Sequence, residues 1–304
     1  ETTTGVVTIG AEDSRSSVNQ RILYAGSLTE GQTASVQIPS RTVDDTWYSI
    51  QVIAATDDGR VAYEIGQFRV NSSLTDPEEG TLTVPGDYDT IQAAVDAADA
   101  GDRIEVAPGT YREQVTLNES VTLVAPDGAT LDGSGLSGSE TTGLDIATDA
   151  VPSIRGFTIT GYDTGISATG TNGAWTATDI RIPEAGVGVS ALRSSGNWEI
   201  RDAEISHTAV GVVGTSNGDW VIADSLFVDN DFGVRAVDSQ GDWTIRNTRI
   251  SGGEAAVNAE QSGGNWTVSN ATISDADYDG IFAPRSHGDW TVRDSTIRRT
   301  NFSG

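Results

Sequence analysis

From Trp175 onward the chain alternates apolar and polar positions in short runs, and the runs recur. Tryptophan stands at Trp175, Trp198, Trp220, Trp243, Trp266 and Trp290, at intervals of 23, 22, 23, 23 and 24 residues. Two residues after each comes an apolar side chain: Ala177, Ile200, Ile222, Ile245, Val268 and Val292. Seven residues after comes a second one: Ile182, Ile205, Phe227, Ile250, Ile273 and Ile297. A third apolar site follows a small residue, in Gly186-Val187, Gly211-Val212, Gly233-Val234, Ala256-Val257 and Gly280-Ile281. Residues two apart share one face of a strand, so each run predicts a short strand with its apolar side inward. Between the first two runs stand Asp179, Asp202, Asp224, Asn247, Asn270 and Asp294, all turn formers. Three short strands and three turns per period predict one rung of a right-handed parallel β-helix, with rungs stacked about 4.8 Å apart. A helical reading fails, because the apolar positions alternate and β-branched residues fill them. The Asp/Asn column is expected to form a ladder of turn side chains bonding the backbone. The Trp column shares parity with the inward Ile and Val and is expected in the core. The alternative is a corner strip suited to sugar rings.

The remainder divides around this array. Residues 1–70 lack the period and alternate over 6–9, 21–25, 34–38, 48–54 and 61–70. They predict a small antiparallel β-sandwich, Ig-like, with Trp47 in or near its core and a hairpin at Asp57-Asp58-Gly59. Residues 71–80 are polar, acidic and broken by Pro and Gly, and read as a linker. Residues 81–304 form the second domain, with the Trp-marked repeats over 172–304 and about nine rungs in all. Its one predicted helix covers 89–100, with Asp89 as N-cap, Gln92 completing a capping box and Gly101 as the C-terminal cap. Ile91, Ala94, Val95 and Ala98 make its apolar face, suited to covering the first rung. Residues 133–150, rich in Gly, Ser and Thr, read as a protruding loop. The last rung is incomplete, so further rungs or another chain are expected to cover that end. The expected class is all-β: a β-sandwich followed by a right-handed parallel β-helix capped by one amino-terminal helix.

The stretch PGDYDTIQAAVDAADAGDRIEVAPGTYREQVTLNESVTLVAPDGATLDG, residues 85–133, resembles the amino-terminal signature of pectin-lyase-like right-handed β-helix proteins. That superfamily holds pectin methylesterases, polysaccharide lyases, C5-epimerases, NosD-like proteins and phage tailspikes. The later rungs resemble its carbohydrate-binding and sugar-hydrolase repeats. The resemblance spans roughly residues 81–304 and implies the fold, not an activity.

Charge narrows the partners. The chain has 18 basic and 44 acidic residues, a net charge of −26, and every basic residue is Arg. Such a surface excludes a nucleic-acid backbone or an anionic membrane as partner. It suits high salt, where screening tolerates dense negative charge, and resembles secreted proteins of haloarchaea. No apolar run reaches transmembrane length. Asn-x-Ser/Thr sequons at Asn71, Asn118, Asn265, Asn270 and Asn301 permit glycosylation.

Candidate chemistry is sparse. Enzymes of the resembled superfamily use an Arg or Lys base, carboxylates that hold calcium, or two to three acids, and no such set is evident here. Asp275, Asp277 and Asp279 before Gly280 match the start of a calcium loop, but Ser286 stands where the closing Glu belongs. A solvated acidic turn accounts for the same residues, so calcium is the one candidate cofactor. Arg201, Arg246 and Arg293 lie three after Trp with outward parity. They are candidates for binding a carboxylated glycan or acting as a lyase base, and ordinary surface pairing is the alternative. His207 and His287 read as surface residues.

The function expected is a non-enzymatic extracellular scaffold or adhesin, presenting its flank to glycans or cell-surface proteins in high salt. A tail fibre or spike of a haloarchaeal virus, trimeric if spike-like, is one alternative; a polysaccharide lyase or epimerase is the other. The net charge of −26 generates a direct test. Unscreened repulsion should loosen the desalted protein, so its melting temperature should rise steadily into molar salt. A melting temperature independent of salt would count against a surface adapted to salt.

Overall fold

The structure, a computed structural model, describes residues 2–11, 21–29, 47–56, 61–69, 80–136 and 141–300, the first four segments by backbone alone. The chain divides into two compact units, Glu1–Glu78 and Glu79–Gly304. In the first unit, β1 (Thr2–Ala11), β2 (Arg21–Thr29), β3 (Trp47–Thr56) and β4 (Val61–Arg69) form one antiparallel sheet ordered β2-β1-β3-β4. The expected strand at 34–38, the hairpin turn, the second sheet of a sandwich and the Trp47 side chain lie outside the described residues.

The second unit is a parallel β-helix of about nine turns. Its first face pairs Trp with Trp from rung to rung, and its inward file runs Leu82, Ile104, Leu123, Ile154, Ala177, Ile200, Ile222, Ile245, Val268, Val292. The second face stacks Ile182, Ile205, Phe227, Ile250, Ile273 and Ile297. The third stacks Val115, Leu144, Ile166, Val189, Val212, Val234, Val257 and Ile281. One expected pair is corrected here. Val187 faces Val210, and it is Gly188-Val189 that matches Gly211-Val212. Counted from tryptophan, Gly188 and Gly211 hold the same place (188 − 175 = 211 − 198 = 13), and Gly186 does not. The small residue is needed because the second face packs under it. A Cβ on Gly233 would press on the Ile250 side chain and the Ala256 carbonyl.

The Trp column lies inside. Adjacent rings stand 5.4, 4.8, 5.0, 4.9 and 5.5 Å apart and within 16° of parallel. Trp175, Trp198, Trp220, Trp243 and Trp266 are 1–3% exposed, whereas Trp290 is 62% exposed. Burial dominates the energetics. An indole removing about 150–250 Å² from water contributes several kcal/mol at roughly 25 cal/mol per Å², whereas each stacked pair adds about 0.5–1.5 kcal/mol. The indole N–H needs a partner, and a serine supplies it, buried at Ser239 and Ser262 and half-buried at Ser286. Trp220, Trp243 and Trp266 donate to Ser239, Ser262 and Ser286 at 3.3, 3.1 and 3.3 Å. Nε1 of Trp175 and of Trp198 lacks a partner. The hydroxyl of Ser194 is shared with Thr171, and that of Ser216 is held by Gly218. Each orphan costs about 1–3 kcal/mol, less than the indole burial offsets.

The corners explain the polar columns. Asp179, Asp202, Asp224, Asn247, Asn270 and Asp294 all sit at φ between 48° and 55°. This left-handed conformation suits Asp and Asn among residues with a side chain. The side chains do not ladder onto the backbone as expected. Instead Asn247 donates to Asp224 at 2.8 Å and Asn270 to Asn247 at 2.9 Å. The backbone ladder belongs to the residue before tryptophan. Asn197, Asp219, Asp242 and Asn265 each accept, at 2.8–3.0 Å, the backbone N–H of the equivalent residue one rung on. The glycine before it permits the approach. A Cβ on Gly241 would collide with the carbonyl of Gly218.

Among the described residues helix is confined to α1 (Ile91–Ala97), packed on Thr81–Val84, Arg103–Val106 and Val115–Leu117 with Ile91, Ala94 and Val95 buried. Its N-cap is Thr90, not Asp89, and it ends at Ala97 with Ala98 as C-cap. The capping box is replaced from afar, since the Glu113 carboxylate accepts the N–H groups of Ile91 and Gln92 at 3.0 and 2.9 Å. Gln92 instead bonds Asp96 and the Thr116 backbone. Gly101 turns with φ +101° and donates to Ser120, away from the helix end. The stretch 133–150 is not all loop, because Thr142–Ile146 forms a strand of the third face.

Tyr162, 3% exposed, ties two early rungs by donating to the Glu113 carbonyl at 2.6 Å. Burial first, then the Asp132 and Glu113 carboxylates, push its pKa up from 10.0 to about 12. A raised folded pKa contributes stability below the unfolded value and loses it as pH rises through the folded one. The structure should therefore weaken between pH 10 and about 12. Tyr162→Phe should lose about 1 kcal/mol at neutral pH, for the hydrogen bond, yet be less sensitive across that window. Urea midpoints at both ends of the window check this, and parallel pH profiles for both chains would refute it.

Candidate functional site

The outer side of the Trp face carries a shallow trough of about 650 Å³. Its floor is the outward row Thr176, Glu199, Val221 and Thr244, one residue after each tryptophan. One wall is the row Asn197, Asp219 and Asp242. Both wall carboxylates are already engaged as acceptors of the backbone ladder. Val151 and Pro152 line the amino-terminal end.

Two of the three candidate arginines border this floor. Arg201 and Arg246 stand two rungs apart with buried Ala223 between them. Arg201 pairs with Glu199 and lies 3.6 Å from Asp224; Arg246 lies 3.9 Å from Glu199 and 3.7 Å from Asp224. Two guanidinium groups and two carboxylates thus form a closed, partly exposed quartet across three rungs. Both arginines stay partly exposed, at 37% and 33%, with a carboxylate within 4 Å of each. Arg293 does not join it and pairs with its neighbour Asp294 at 3.2 Å. Glu199 was not singled out by sequence, and Asp224 was singled out only as a corner residue. The outward parity shared by Glu199 and Arg201 was the available signal. Asp224 needed the third dimension, since it reaches Arg246 only through stacking.

The acidic turn does not converge. Among the described residues no three of His, Cys, Asp and Glu are placed to hold a metal ion. Asp275 is instead a left-handed turn residue, with φ 61°. Its carboxyl is held below the usual carboxylate range by the adjacent Ser274 hydroxyl first and then by Arg299, whose guanidinium donates to it at 3.3 Å. Asp277 is exposed and Asp279 half-buried. Of the sequon asparagines, Asn118 is exposed, while Asn265 and Asn270 have side-chain nitrogens hydrogen-bonded within ladders. Asn71 and Asn301 lie outside the described residues.

The family model described as "Periplasmic copper-binding protein (NosD)" matches residues 117–304, more than half of the chain. The chain belongs to the NosD family. This accords with the right-handed β-helix expected from residues 85–133. Among curated proteins none matches at a significant level. Among solved structures, the catalytic unit of a thermostable GH87 α-1,3-glucanase from Streptomyces thermodiastaticus strain HF3-3 is similar at 14% identity and a TM-score of 0.30, covering 99% of this chain and 88% of that one. A GH87 α-1,3-glucanase catalytic domain in complex with tetrasaccharides is similar at 9% identity and a TM-score of 0.23, covering 97% of this chain and 88% of that one.

The NosD description names copper, and this chain's residues do not fit it. Copper is held by thiolate, thioether and imidazole donors, and the chain has 0 Cys, 0 Met and 2 His. His207 and His287 are exposed in different corners, in rungs three levels apart, hence about 14 Å apart along the axis alone. Among the described residues no helix is long and apolar enough to cross a membrane.

Proposed function

We propose that this NosD-family β-helix is a non-enzymatic, exported scaffold that presents its rigid outer faces to glycans in high salt. The observation that carries the reading is the closed quartet of Arg201, Arg246, Glu199 and Asp224. A lyase needs a base free to approach the substrate and a countercharge beside it. Here the arginines best placed for that task are each paired with the same two carboxylates, and the wall carboxylates Asp219 and Asp242 accept the backbone ladder. The Trp column, being internal, stiffens the display surface and leaves recognition to the outer rows. Export is supported by the periplasmic description of the family and by the acidic, Lys-free composition.

The test is turnover. Uronate polymers and neutral glucans, incubated with the protein in molar salt with and without calcium, should give neither unsaturated products nor new reducing ends. Steady product formation that disappears in Arg246→Ala would replace the scaffold reading with a lyase.

A further inference from the structure

From Trp175 to Trp266 the indoles lie in one internal file. Neighbouring ring centroids are 4.8–5.4 Å apart and the planes are within 8° of parallel. Each of these rings is only 1–3% exposed. Four steps at the rung spacing carry the file about 19 Å along the axis. With 0 Cys and 0 Met, the chain has no sulfur side chain to compete with its indoles for an oxidant.

We propose that the column is a one-electron donor that acts as a unit: it gives an electron to a one-electron oxidant and shares the resulting positive hole among neighbouring indoles. The oxidant gains the electron and the column becomes a radical cation. Sharing moves electrons between rings and makes or breaks no bond. The parallel faces bring the π systems together at every step. The rings are also closely alike in surroundings, so none is a deep trap. Trp220, Trp243 and Trp266 each donate the indole N–H to one serine hydroxyl, at 3.1–3.3 Å.

The proton stays in place. An oxidised indole in water loses its N–H proton, and the hole is then fixed on that ring. Here the acceptor is a hydroxyl that itself donates to a backbone carbonyl: Ser239 to Ser216, Ser262 to Ser239 and Ser286 to Ser262, at 3.4, 3.3 and 3.1 Å. A serine hydroxyl so engaged is no base for that proton. Trp175 and Trp198 have no acceptor at Nε1. A positive charge in an apolar core is costly, and two features offset the cost. Sharing spreads the charge over several rings. The carboxylates of Asp219 and Asp242, each next in the chain to a column tryptophan, enter no ion pair among the described residues and favour a positive charge nearby.

The trough is the way in. Trp175, Trp198 and Trp220 border it although water barely reaches them, so an oxidant resting there takes an electron without entering the core. The inference goes beyond the scaffold reading and does not rest on it.

The test is flash photolysis in molar salt, with photogenerated tris(bipyridine)ruthenium(III) as oxidant and N-acetyltryptophanamide as the isolated indole. All chains carry Trp47→Phe, so that only column indoles respond. Transient absorption reads the protonated radical cation, the deprotonated radical and the broad near-infrared band of a charge shared between stacked rings. The protein should show the near-infrared band, and its radical cation should outlive that of the isolated indole severalfold. Trp198→Phe/Trp243→Phe/Trp290→Phe leaves no two indoles adjacent and should abolish the band. Should that variant fail to fold, as read by its melting, Trp220→Phe breaks the file once and should weaken the band. Deprotonation as fast as in the isolated indole, no near-infrared band, or a band indifferent to these substitutions would each overturn the proposal.

Discussion

The solenoid depends on one constraint: each rung must return its chain so that the next indole lands on the last. The ring separations of 4.8–5.5 Å leave little tolerance. Three devices hold that register. Left-handed Asp or Asn fixes the first corner. The glycine before Asn/Asp-Trp lets neighbouring backbones meet. The Asn/Asp side chain then hooks the next rung's N–H. The hook reinforces the stack without being required at every step, since Ala174 precedes Trp175 and the Trp175 and Trp198 rings still lie 5.4 Å apart and 8° from parallel. Stability in such arrays is a sum over neighbouring interfaces, so each device adds to the step that carries it.

The same constraint makes the outer surface. Positions that face outward repeat at the rung spacing, and residues far apart in sequence become neighbours. Glu199 meets Arg246 across two rungs, and Phe232 meets Ala255 across one. Recognition can therefore vary by substitution in the outward rows while the inward files remain fixed. The quartet on the Trp face is one outcome of that freedom. Surface ion pairs such as Arg201–Asp224 contribute at most about 1 kcal/mol, far less than an inward indole, so they are free to change.

How much of this was legible in the sequence follows from how local each feature is. The inward files of Ile and Val, the buried Trp column and the corner Asp/Asn were readable, because alternation and turn chemistry act within a few residues. The third face was misassigned at Gly186-Val187, because that strand, Arg181–Ser190, runs continuously past the corner and offers two Gly-Val pairs. The cap of α1 was misassigned for the opposite reason. Thr90 and distant Glu113 share the work that Asp89 and Gln92 were expected to do, and nothing near the helix announces Glu113. The Asp275–Asp279 turn looked like a cation loop by spacing, yet spacing does not decide whether carboxylates converge, and among the described residues they do not. The part Asp224 takes in the quartet became visible only once the rungs were stacked.

The central claim is that the repeat tryptophans form one internal, parallel stack that sets the register. Ultraviolet absorption tests it directly, since parallel indole transitions stacked face to face about 5 Å apart couple into a band shifted to higher energy. The folded protein in molar salt should show indole absorption shifted to shorter wavelength relative to the melted chain, and Trp243→Phe, which divides the stack, should reduce the shift. A spectrum equal to the sum of independent tryptophans, unchanged in that variant, would contradict one internal stack.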